Sequence, residues 1–122
     1  MKWSEMVTGA SGDVELEQAW LKAAQEVFDL FCVKQRSYGP QNIADLGEIG
    51  VASRLNDKVK RLLNIYENGG LSTLSTRCPH CGEVLAEETL LDTWMDIADY
   101  GIIGMIVLSG QWPFQEHKDE DK

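Results

Sequence analysis

The sequence predicts an all-α protein, a helical bundle of three long helices plus short helices. Two observations carry this expectation. Apolar residues recur at three- and four-residue spacing through residues 13–36, 50–67 and about 87–108, the period of one helix face. The stretches between them, such as "SYGPQN" and "NGG", concentrate residues that stop helices. With 122 residues, 43% of them hydrophobic, the chain is long enough for a single domain, 1–122, with a modest core.

The first helix, residues 13–36, places Leu16, Trp20, Ala23, Val27, Leu30 and Phe31 on one face. Asp13 is its N-cap, and Tyr38-Gly39-Pro40 ends it. Lys34 falls on the side of Trp20, Val27 and Phe31. Its ammonium either snorkels to solvent past an apolar stem or points into a polar site. Cys32, near Phe28 and Phe31, reads as a small core residue.

A loop through "QNIADLGEIG" leads to the second helix, residues 50–67, with Val51, Leu55, Val59 and Leu62 as its apolar face. Beside that face Arg54, Lys58 and Arg61 recur at i, i+4 and i+7, within an arc of about 80° on the helical wheel, with Asp57 adjacent. A loop insertion at about 69–86 carries Cys78 and Cys81. After the third helix, "QWPF" reads as a short apolar anchor, and residues 115–122 as a solvated charge run.

The third helix, from about 87 to 108, holds Glu88, Asp92, Asp96 and Asp99 within about 80° of one another. The same stripe continues as Ile103 and Ile106. A stripe that turns apolar points the acids toward a cavity and not toward bulk water. Clustered carboxylates in such a place need cations beside them. Two answers stand: a divalent metal, for which carboxylates are hard-oxygen ligands, or the Arg54, Lys58 and Arg61 stripe as structural ion pairs.

A formal charge of −9 disfavours direct binding to nucleic acid. The N-terminus lacks the apolar core of a signal peptide, and the longest apolar run is shorter than the roughly 20 residues of a membrane span. A cytoplasmic protein is expected. Three cysteines do not make a disulfide framework. Cys78 and Cys81, in "RCPHCG", have the spacing of one zinc knuckle, half of a four-ligand site. His80, Cys32 and His117 are further ligand types in the chain, and two protomers could share a Cys₄ site across a two-fold axis. A redox C-x-x-C and an inert reduced loop are the alternatives.

Three blocks in order, "KQRSYGPQN", "GVASRLNDKVKRL" and "ETLLDTWMDIADYGII", resemble the MazG-like all-α nucleoside triphosphate pyrophosphatases. The resemblance is to the small, often phage-encoded nucleotide modification associated branch, and covers residues 34–108 outside the cysteine loop. It implies a bundle that forms a homodimer or higher homo-oligomer and uses Mg²⁺ or Mn²⁺ to hydrolyse a nucleoside triphosphate to monophosphate and pyrophosphate. Carried over, Glu88, Asp92 and Asp96 are the catalytic, metal-binding acids, with Asp99 as a further ligand or an acid that supports the ligands from behind. Lys34, Arg54, Lys58 and Arg61 resemble phosphate contacts, and Tyr38 a base or sugar contact. The family's E-E-x-x-E motif is missing from the second helix, which offers Asp57, with Glu48 just before it, as substitute ligands. A nucleotide binder without turnover, or an acidic interaction protein, is the alternative to an enzyme.

Overall fold

The computed structural model describes residues 2–67, 73–77, 80 and 84–113. Three long helices dominate: α1 (Val14–Tyr38), α2 (Gln41–Glu67) and α3 (Leu90–Leu108). The fold is all-α, with one antiparallel hairpin, β1 (Thr73–Arg77) and β2 (Val84–Thr89), inserted between α2 and α3. No helix among the described residues is long and apolar enough to cross a membrane. The chain divides into two compact units, Met1–Pro40 and Gln41–Lys122.

In the first unit a 3-10 turn at Trp3–Glu5 lies against α1. The Trp3 ring stacks obliquely on Phe28 at 5.5 Å, and the Trp3 amide donates to Gln25 Oε1. Asp13 caps α1 as its sequence position predicts, Oδ1 accepting from the Leu16 amide at 3.0 Å. The helix closes with the Gly39 amide donating to the Gln35 carbonyl. Val27 is buried and Leu30 and Phe31 are half-buried, but Leu16 and Trp20, placed on the same stripe by spacing, are exposed. The N-terminal segment instead folds over the Glu17 side of α1. The Glu17 carboxylate accepts from the amides of Thr8, Gly9 and Ser11 and from the Ser11 hydroxyl, which draws its pKa down to about 2.

In the second unit α2 begins earlier than its apolar spacing suggests, at Gln41, and breaks at Gly47. The backbone there has φ 68° and ψ −176°, a region open almost only to glycine. The break folds Leu46 back over Gly50, so closely that a Cβ on Gly50 would lie 2.7 Å from Leu46 Cβ. Beyond it Val51, Leu62 and Ile65 are buried and Leu55 is half-buried. At about 1.5–3 kcal/mol per fully buried aliphatic side chain, this stripe is the main adhesive between α2 and α3.

The third helix starts three residues later than its sequence pattern suggests. Glu88 is in β2, its backbone opposite Leu74, and α3 opens at Leu90. Backbone pairing with β1, a Thr- and Ser-rich strand, claims residues that would otherwise form a first helical turn. At its far end α3 finishes in a Schellman motif: the Gln111 amide donates to the Ile106 carbonyl and the Gly110 amide to Val107, with Gly110 at φ 80°. The turn delivers Trp112, which is buried, in keeping with the anchor role of "QWPF".

Candidate functional site: a charged seam beside a cationic groove

Both helices of the second unit meet along stripes with spacing 4-3-4-3. On α2 the stripe is Val51, Leu55, Lys58, Leu62, Ile65; on α3 it is Asp92, Asp96, Asp99, Ile103, Ile106. This spacing keeps one face of each helix toward its partner. Lys58 therefore occupies a core position of α2, and Val59, which the sequence spacing places on the apolar face, is exposed instead.

The acid stripe goes from solvent to interior along α3. Asp92 is exposed, Asp96 is half-buried, and Asp99 is 3% exposed, level with Ile103 behind it. The expectation that these acids turn away from bulk water holds for Asp96 and Asp99. Lys58 answers Asp96: its Nζ lies 3.0 Å from Asp96 Oδ2, with the two side chains 26% and 15% exposed. Thr93, on the flank of the stripe, is fully buried.

On one flank of the seam a groove of about 440 Å³ opens, lined by Arg54, Asp57, Lys58, Lys60, Arg61, Asn64 and Tyr100. Four of the eleven Lys and Arg residues of this acidic chain stand here, against one carboxylate. Three are the cations that the sequence places on one arc; Lys60, Asn64 and Tyr100 are additions. The signal for Asn64 is its spacing, three residues after Arg61 and hence on the same flank. Tyr100 has none, because its place depends on how α3 is rotated against α2. On the other flank the Trp94 indole N–H donates to Tyr66 Oη at 3.3 Å, and both residues are about half exposed.

The remaining predicted residues are dispersed. Glu48 is exposed just after the Gly47 break. It lies nine residues before Asp57, so the two are about 180° apart on α2 and do not face a common point. Only Asp57 lines the groove. Glu88 sits on a strand and not on the α3 stripe. Lys34, half-buried, and Tyr38, exposed, belong to α1 in the first unit. Cys32 is a half-buried free thiol there. Cys78, Cys81 and His117 lie outside the described residues, as does the tail at 115–122, and His80 is an exposed turn residue.

The carboxylates suit a hard cation in chemistry but not in arrangement. Among the described residues no three His, Cys, Asp or Glu side chains come together where they could hold one metal ion. Asp92 and Asp99 are separated by about 10 Å of helix rise, and Asp96 between them is engaged by Lys58. The described side chains do not form a cage for a resident ion. Compared with protein-family models, with curated proteins and with solved structures, the chain matches none.

Proposed function

We propose that the second unit binds a nucleoside triphosphate along the α2–α3 seam and, with Mg²⁺, hydrolyses it to monophosphate and pyrophosphate, as a MazG-like pyrophosphohydrolase. The observation that carries this reading is the meeting of a four-cation groove with an inward acid stripe at Lys58 and Asp96. Arg54, Lys58, Lys60 and Arg61 are suited to a polyphosphate chain, each supplying charge-assisted donors. Tyr100 offers a ring and a hydroxyl, and Asn64 an amide, for the nucleoside end.

Mg²⁺ is commonly held by one or two carboxylates together with substrate phosphates, and would arrive with the nucleotide to polarise the phosphate. Asp92 and Asp96, one turn apart, would be its carboxylate ligands. The cations of the groove would stabilise charge on departing pyrophosphate. A homo-oligomer is part of the same proposal: Trp94, Ile102, Met105 and Leu108 give α3 an exposed apolar outer face.

A specific observation favours a second reading, a nucleotide binder without turnover: Asp96 is already paired with Lys58, and Glu48 and Asp57 do not converge. A panel of ribo- and deoxynucleoside triphosphates with Mg²⁺, followed for pyrophosphate and monophosphate, separates the two. Release of both products, abolished by Asp92→Asn and Asp96→Asn, supports the enzyme. Binding by titration calorimetry with no pyrophosphate released leaves the binder.

A further inference from the structure

Lys58 takes part in both features of the second unit. It sits in the α2–α3 seam against Asp96, and it lines the cationic groove with Arg54 and Arg61. A lysine can serve two anions in turn, because its ammonium is a point charge on a flexible four-carbon stem. Asp96 is less free to follow. Its side chain is short, only 15% exposed, and flanked on α3 by the buried Thr93 and Asp99.

We infer that Asp96 is a built-in competitor for the phosphate groove: its carboxylate and an incoming polyphosphate contend for the same Lys58 ammonium. This rests on the reading of the groove as a phosphate site and deepens it. The neighbouring Arg54, Lys60 and Arg61 give the polyphosphate an advantage that the single carboxylate lacks, so a ligand of several charges wins where a single charge does not. The groove thereby selects against orthophosphate and other small anions. The cost is affinity, since only the fraction of molecules with Lys58 released is ready to bind. Filling the groove therefore draws the Lys58 ammonium away from the Asp96 carboxylate.

The test uses inorganic tripolyphosphate as probe, with EDTA present, and titration calorimetry on the full chain. Asp96→Asn removes the competitor and is expected to tighten binding about 10-fold. Loss of simple repulsion would also tighten it, so the same change is made in a Lys58→Met background. Competition for Lys58 predicts that the gain disappears there; an equal gain in both backgrounds overturns the inference and leaves the groove reading standing. The wild-type protein gives an independent measurement that needs no variant to fold. The Asp96 carboxyl ¹³C resonance should shift along the same saturation curve as tripolyphosphate binding, and a resonance that stays still while the ligand binds overturns the inference. If neither wild type nor Asp96→Asn binds tripolyphosphate, the inference and the phosphate reading fall together.

Discussion

Lys58 Nζ and Asp96 Oδ2 meet at 3.0 Å between two apolar layers, Val51 and Leu55 preceding Lys58 along α2 and Leu62 and Ile65 following it. The pair is neither at the surface nor fully dry. Its contribution therefore lies between the 0–1 kcal/mol of exposed pairs and the larger losses seen when one partner of a buried pair is removed.

Breaking the pair from one side is expected to cost about 1–3 kcal/mol, because the remaining charge stays in a partly desolvated seam. Lys58→Met should lower the urea midpoint at unchanged slope. The double variant Lys58→Met with Asp96→Leu should recover most of the loss, since two apolar residues match the layers on either side. A double variant no more stable than the single one would show that the pair is not the source of the cost.

The helical class and the three long helices were legible from apolar spacing, and the inward turn of the acids from the continuation of their stripe as Ile103. The rotation of α2 was not. A spacing of four, four and three links Val51, Leu55, Val59 and Leu62, while four, three, four and three links Val51, Leu55, Lys58, Leu62 and Ile65. Binary patterning prefers the set without a lysine, and only the acid at the facing position on α3 makes the other set stable. The hairpin was hidden for a similar reason: residues 87–89 carry helix-compatible glutamates, and strand pairing with residues 73–75 is a non-local contact that local propensity does not report.

The break in α2 depends on two glycines acting differently. Gly47 adopts a conformation that a side chain strains, and Gly50 accepts Leu46 at a distance no Cβ tolerates. Gly47→Ala should cost about 1–3 kcal/mol through backbone strain. Gly50→Ala should cost a similar amount through overlap, and pairing it with Leu46→Ala should not relieve it, because the close atom is the Leu46 Cβ itself. Pairing with Leu46→Gly removes that atom. Thermal unfolding of the four variants would decide between overlap and a general loss of chain flexibility, which predicts that Gly50→Ala stabilises.

If the groove holds phosphates, its exposed cations set affinity and salt response together. Arg54→Gln and Arg61→Gln should each weaken nucleoside triphosphate binding about 3- to 10-fold at low salt, the scale of one partly solvated charge-assisted contact. Each should also flatten the dependence of affinity on salt, because screening acts on the charges that remain. Lys22→Gln, in the other unit, is the control: it removes the same charge at a position outside the groove and should leave both quantities unchanged. A loss equal to that of the arginine variants would mean that net charge, not the groove, attracts the ligand.

Glu17 gives the first unit an acid-resistant clasp. Hydrogen bonds from the Ser11 hydroxyl and amide, then from the Gly9 and Thr8 amides, favour its charged form and lower its pKa from 4.5 to about 2. A carboxylate lowered in the folded state adds stability above its unfolded value, and that stability is lost as pH falls through the folded value. The clasp should therefore be complete above about pH 4.5, weaken steadily below it, and open near pH 2. Amide resonances of Gly9 and Ser11 should titrate with a midpoint near 2, and Glu17→Gln should abolish that titration and speed hydrogen exchange at both amides. A midpoint at the ordinary glutamate value would show that the segment of residues 8–11 does not hold the carboxylate in solution.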